Sequence, residues 1–100
     1  MHAISKPAAE DRTVQISATG VIADGPVEVS AMTLAAGSGA AATAVLNDSE
    51  DGGGTDKWKL AAVSGGDAHI SFPKPIPFSI GLYGTLGGAG AILSVALTNS

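Results

Sequence analysis

The chain has 100 residues, no cysteine and a formal charge of −4, which points to a single domain and excludes a disulfide or thiolate-metal framework. Its five basic residues, Lys6, Arg12, Lys57, Lys59 and Lys74, are scattered, so no patch could neutralise a run of phosphates, which argues against nucleic-acid binding. Of the 45% hydrophobic residues, 18 are Ala and 27 are larger; each larger side chain contributes about 1.5–3 kcal/mol when buried, so intrinsic stability is expected to be modest and helped by neighbouring subunits.

Residues 1–13 mix small, charged and proline residues with no periodicity and read as an N-terminal arm, ordered only where something holds it. They contain no basic-then-apolar signal pattern, and Gly and Pro break every long uncharged stretch, so neither secretion nor a membrane-spanning segment is expected. The remaining residues, 14–100, form the domain proper.

From Val14 to Ala18 apolar and polar side chains alternate, as in a half-buried strand. Gly20 and the triplet Asp24-Gly25-Pro26 supply turn chemistry. Over Val27 to Ala35 the apolar parity changes: Val27, Val29 and Ala31 share one face, then Met32 and Leu34 take over, which predicts a bulge or bend near Ala31. After a turn at Gly37-Ser38-Gly39, a strand is expected from Ala40 to Leu46, followed by an acidic, Gly-rich hairpin loop from Asn47 to Asp56.

Lys57 to Ala62 is amphipathic, with Trp58, Leu60 and Ala62 on one face and the two lysines on the other. Asp67 to Phe72 alternates again, with Ala68, Ile70 and Phe72 inward. Pro73 to Pro77 lacks ladder donors at three positions and is read as a crossing between strands or sheets. Phe78, Ile80, Leu82 and Leu86 then fall in register, Gly87 to Gly90 turns the chain, and Leu93, Val95 and Leu97 face inward on the last strand.

Seven or eight short strands at roughly ten-residue spacing predict an all-β fold, an antiparallel, jelly-roll-like β-sandwich carrying the arm. No stretch supports a helix; Ala40-Ala41-Ala42 is too short to nucleate one.

Candidate chemistry is sparse. Asp48, Glu50, Asp51 and Asp56 concentrate carboxylates on one loop and suit Ca²⁺ as hard ligands, but aligning Asn47, Ser49 and Asp51 with an EF-hand places Trp58 where the bidentate Glu belongs. A solvated acidic turn is the simpler reading, and no metal or other cofactor is expected. Asp67, His69 and Ser71 share a strand face and suggest a triad. Collinear strand residues stand about 6–7 Å apart, whereas a triad wedges its base between nucleophile and orienter, so no catalytic residue is assigned and the chain is read as a non-enzyme. The glycines at 81, 84, 87, 88 and 90 lack both the following helix and the Lys-Ser/Thr ending of a phosphate loop. Trp58 lies on the apolar parity and reads as a core anchor.

The stretch from about Val27 to Thr98 resembles small β-sandwich proteins of tailed bacteriophage particles. The resemblance is carried by the Gly37-Ser38-Gly39 turn, the Asp/Gly loop, the strand Lys57-Trp58-Lys59-Leu60, and the ending in which Phe78-Ser79-Ile80-Gly81-Leu82-Tyr83 precedes a glycine turn and an alternating strand. It implies a virion structural protein, made in the host cytoplasm, such as a capsid decoration (cement) protein or a head, tail or fibre component, the capsid surface being favoured. The implied partners are the major capsid protein or other virion proteins and further copies of the chain, a trimer being favoured. An arm that orders on a neighbour would present His2, Ile4, Lys6 and Pro7 as an assembly interface. The alternative is a tail- or fibre-associated receptor- or carbohydrate-binding module using Trp58, Tyr83 and the acidic loop.

Overall fold

The computed structural model describes residues 11–98; His2, Ile4, Lys6 and Pro7 lie outside them. Eight strands follow in order, β1 (Asp11–Ile16), β2 (Gly20–Asp24), β3 (Val27–Ala35), β4 (Ala42–Asp48), β5 (Thr55–Ala62), β6 (Asp67–Phe78), β7 (Gly81–Gly87) and β8 (Ile92–Thr98), with no helix among the described residues. All pairings are antiparallel, in two four-stranded sheets ordered β1-β8-β3-β6 and β2-β7-β4-β5. The chain is therefore an all-β sandwich in which first pairs with last, second with seventh, third with sixth and fourth with fifth.

The core follows from side-chain parity. On β3, Val27, Val29, Met32 and Leu34 are buried, and its ladders with both β6 and β8 shift register between Val29 and Ala31. The extra residue is Ser30, whose hydroxyl donates to the Ala96 carbonyl at 3.3 Å. The bulge expected from the parity change is thus present, and it lets one strand send both halves of its apolar set into a single core. Leu93, Val95 and Leu97 on β8 are fully buried, as are Ala44 and Leu46 on β4 and Leu82 on β7.

Four local readings change. Asp11 to Thr13 belong to β1, pairing with Thr98 to Ala96, so the segment assigned to the arm ends no later than residue 10. Gly20 and Asp24, read as turn residues, are the first and last residues of a strand whose register shift between Val21 and Ala23 accompanies burial of both Ile22 and Ala23, while Gly25 and Pro26 do connect it to β3.

Pro73 to Pro77 are strand residues rather than a crossing. They are tolerated because β6 is an edge strand and because its ladder to β3 passes from Ser71 directly to Ile76, so Pro73 and Pro75 owe no hydrogen bond to β3. The crossing comes later, at Ser79 and Ile80, between β6 in one sheet and β7 in the other. Ile80, placed inward by its parity with Phe78 and Leu82, is accordingly 57% exposed.

The two lateral sides of the sandwich differ. Where β5 lies over β6, Trp58 and Phe72 meet edge to face with ring centroids 5.0 Å apart. Lys57 reaches from β5 across to the Pro77 carbonyl at 2.9 Å and lies 5.6 Å over the Phe78 ring. Where β1 lies over β2 the filling is aliphatic: Ile16 and Ile22 both cover Gly84, where an added Cβ would stand 3.0 and 2.8 Å from their Cδ1 atoms.

Candidate functional site

The most densely hydrogen-bonded group of polar side chains among the described residues sits at the end of β4. Asn47, Asp48 and Ser49 are all buried, in a region whose composition suggested a solvated acidic loop. Asx and Ser residues at a strand end satisfy nearby backbone groups with their own side chains, and they do so here. The Asn47 amide nitrogen donates to the Gly54 carbonyl at 3.0 Å and to Asp56 Oδ1 at 2.8 Å, while its oxygen accepts from Gly54 N and from the Ser49 hydroxyl. Ser49 Oγ in turn accepts from Gly52 N at 2.8 Å. Asp51 Oδ1 accepts from Gly53 N at 2.8 Å, and the Tyr83 ring lies against Gly52, whose φ is +86°.

Asp48 points the other way, to the crossing between sheets. Its Oδ1 accepts from Ile80 N at 2.8 Å and Gly81 N at 3.4 Å, and its Oδ2 from the Ser79 amide and hydroxyl, both at 3.2 Å. The Lys57 ammonium stands 3.9 Å from Oδ2. Burial is the largest single influence on this carboxyl and pushes its pKa up. The amides of Ile80, Ser79 and Gly81 and the Ser79 hydroxyl together outweigh it, so the group lies below the ordinary value of 3.8.

This arrangement builds a corner. The carboxylate's hydrogen-bonding capacity is taken up by the chain turning from β6 into β7, and the loop ligands Asn47, Ser49 and Asp51 are spent on closing their own loop. Among the described residues no three His, Cys, Asp or Glu side chains gather as a metal-holding group. The signal for Asn47 and Ser49 was present locally, in an Asn-Asp-Ser run at a strand end. For Asp48 the partners lie more than thirty positions away, and nothing local announces them.

The row Asp67, His69 and Ser71 is exposed on the outer face of β6. His69 Nε2 and the Ser71 hydroxyl are 3.1 Å apart, but Nδ1 pairs at 2.7 Å with the hydroxyl of Thr33, its cross-strand neighbour on β3. A neutral hydroxyl therefore occupies the place where a triad needs a carboxylate orienter, and the row lies open to solvent instead of in a water-excluded cleft. Thr33 was invisible as a partner because the β3–β6 register decides it.

The glycines considered as a phosphate cradle divide into two groups. Gly81 and Gly84 are buried within β7, Gly84 beneath the two isoleucines, and Gly88 and Gly90 hold φ of +101° and +80° in the turn before β8. Trp58 is partly buried against the core, and its Nε1 is buried without a hydrogen-bond partner. A shallow apolar depression on β4 and β5 is lined by Thr43, Ala44, Val45, Lys59, Leu60 and Ala61; it brings together no pair of catalytic groups.

No protein-family model matches the chain, and neither a curated protein nor a solved structure matches it.

Proposed function

We propose that this protein is a structural component of a tailed-bacteriophage particle, a decoration (cement) protein that binds the capsid lattice and stabilises it. The observation that carries the reading is the strand order. Pairing of first with last, second with seventh, third with sixth and fourth with fifth across two four-stranded sheets supports a jelly-roll-like reading of the sandwich, an architecture shared by viral capsid and lectin domains. Fold analogy alone does not assign function, and two further features support the choice. The most elaborate polar network holds a corner and a loop in place rather than a reactive group, as a protein valued for shape requires. The resemblance of the segment from Val27 to Thr98 to particle proteins points the same way.

On this reading the partners are the major capsid protein or other virion proteins and further copies of this chain, with the trimer as the form the resemblance favours. The protein is made in the host cytoplasm and ends on the capsid surface. The receptor- or carbohydrate-binding alternative has less support, because the Trp58 indole is engaged with Phe72 instead of standing free as a sugar platform.

The test is expression beside the shell protein encoded near its gene, followed by sedimentation of the heads. Saturable co-sedimentation that makes heads more resistant to heat is the expected result. A protein that stays in the supernatant with intact heads overturns the cement role.

A further inference from the structure

We propose that the connection between β2 and β3 carries a modification site: Asp24 converts spontaneously to isoaspartate through a cyclic imide with Gly25, while Asp51-Gly52, the same dipeptide in the acidic loop, is held back by its hydrogen bonds.

An Asp-Gly pair favours this reaction because glycine has no side chain to obstruct the approach of its amide nitrogen to the preceding carboxyl. The Gly25 nitrogen bonds to Asp24 Cγ, the carboxyl hydroxyl leaves with the amide proton as water, and a cyclic imide remains. Water then adds to one of the two imide carbonyls. Opening at the side-chain carbonyl restores aspartate. Opening at the main-chain carbonyl routes the backbone through Cβ and leaves a free α-carboxylate, which is isoaspartate. The water lost is regained, so the mass is unchanged and no partner is consumed.

The chain contains two such pairs, Asp24-Gly25 and Asp51-Gly52. By sequence the second is the expected site, since three glycines follow Asp51. Its tertiary surroundings reverse that order. The Gly52 amide donates to Ser49 Oγ at 2.8 Å, and Asp51 Oδ1 accepts from Gly53 N at 2.8 Å, so nucleophile and electrophile are both engaged. Ser49 is itself buried and donates to Asn47. Gly52 also lies against Tyr83, where an added Cβ would stand 2.9 Å from a ring carbon. The peptide between Asp51 and Gly52 therefore turns only after both hydrogen bonds open.

Asp24 has neither restraint. Its side chain is exposed, and among the described residues neither its carboxylate nor the Gly25 N–H has a hydrogen-bond partner. Pro26 accounts for the free carboxylate. The residue two positions after an Asp commonly supplies the N–H that ties its side chain, as Gly53 does for Asp51, and proline has no N–H to give. Gly25 holds a φ of +83°, and an added Cβ there meets nothing within 4 Å, so the peptide has room to rotate. The pairing of Asp24 with Gly81 is the last rung of the β2–β7 ladder, and a strand end opens more readily than a strand interior.

Isoaspartate at position 24 inserts one extra backbone carbon between Ala23 and Val27, both buried. The space beside it is tight, since an added Cβ on Gly81 would stand 3.1 Å from the Ala23 carbonyl oxygen. The modified protein is accordingly expected to melt below the unmodified one.

The test is incubation of the full chain at neutral pH and body temperature for several weeks, folded and in guanidinium, followed by peptide mapping with electron-transfer fragmentation. The ratio of isoaspartate at Asp24 to that at Asp51 is expected to be at least about fivefold higher in the folded protein than in denaturant, because two hydrogen bonds protect Asp51 only in the fold. Ser49→Ala, checked by circular dichroism, is expected to raise conversion at Asp51 severalfold and leave Asp24 unchanged. Asp24→Glu, whose imide would need a larger ring, is expected to lose the signal at position 24. A ratio that is the same in both states or inverted in the fold overturns the proposal. So does folded protein without isoaspartate at Asp24 over a period in which denatured chain forms it. The reaction needs no capsid, so its outcome is separate from the head-binding experiment.

Discussion

The carboxylate of Asp48 accepts the backbone N–H of Ile80 at 2.8 Å across a sequence separation of 32 residues. One side chain at the end of β4 thereby fixes the point at which the chain leaves one sheet and enters the other, and it explains why a charged residue is buried in a protein with few charges to spend.

Replacing Asp48 with Ala is expected to cost about 2–4 kcal/mol, because the amides of Ser79, Ile80 and Gly81 lose a charged acceptor at a buried corner. In a domain of this size that lowers the melting temperature by roughly 10–25 °C, measurable by differential scanning calorimetry. A fall of less than about 5 °C would show that water replaces the carboxylate adequately.

Asp48 also makes acid stability predictable in sign. Its folded-state pKa lies below the ordinary 3.8, so the stability it contributes is fully present above that value and is lost as pH falls through the folded-state value. Urea midpoints of the wild type are expected to drop between about pH 5 and about pH 2 more steeply than those of Asp48→Asn, which has no proton to take up at this position. Parallel profiles for the two proteins would remove Asp48 as the source.

Trp58 and Phe72 close the β5–β6 side as an edge-to-face pair. Trp58→Ala is expected to cost about 2–4 kcal/mol, toward the low end for a large-to-small change because the indole is only partly buried. Trp58→Phe is expected to cost less than half of that, since it keeps a ring beside Phe72 and removes a buried Nε1 that has no partner. A double-mutant cycle with Phe72→Ala should return a coupling of about 0.5–1.5 kcal/mol; additive losses would mean that the rings merely share a neighbourhood.

Two glycine-to-alanine substitutions should separate by sign. At Gly88, with φ of +101°, an added Cβ collides with the Ala41 carbonyl oxygen, whereas at Gly20 it meets nothing within 4 Å and φ is not positive. Gly88→Ala is expected to lose at least about 2 kcal/mol, and Gly20→Ala to be neutral or to gain up to about 1 kcal/mol by restricting the unfolded chain. Chemical denaturation of both variants reads the difference directly.

Much of the strand framework was legible in the sequence, because alternation is a local consequence of one face meeting the core and the other meeting water. That logic located β3, with an irregularity near Ala31 that the structure places between Val29 and Ala31, and the inward triplets of β5, β6 and β8. It failed where parity and location part company. Ile80 has the parity of Phe78 and Leu82 but stands on a crossing, and Pro73 to Pro77 lie in a strand because that strand is an edge, a fact that no window of β6 contains.

The candidate sites divide along the same line. Composition identified the acidic loop and the Asp67, His69 and Ser71 row, and strand spacing already argued against a triad. Only tertiary structure decided that Asp48 turns inward to Ile80 and that Thr33 partners His69. Each depends on which strands become neighbours and in what register. That choice is made by burial summed over the whole chain, and a single segment carries no trace of it.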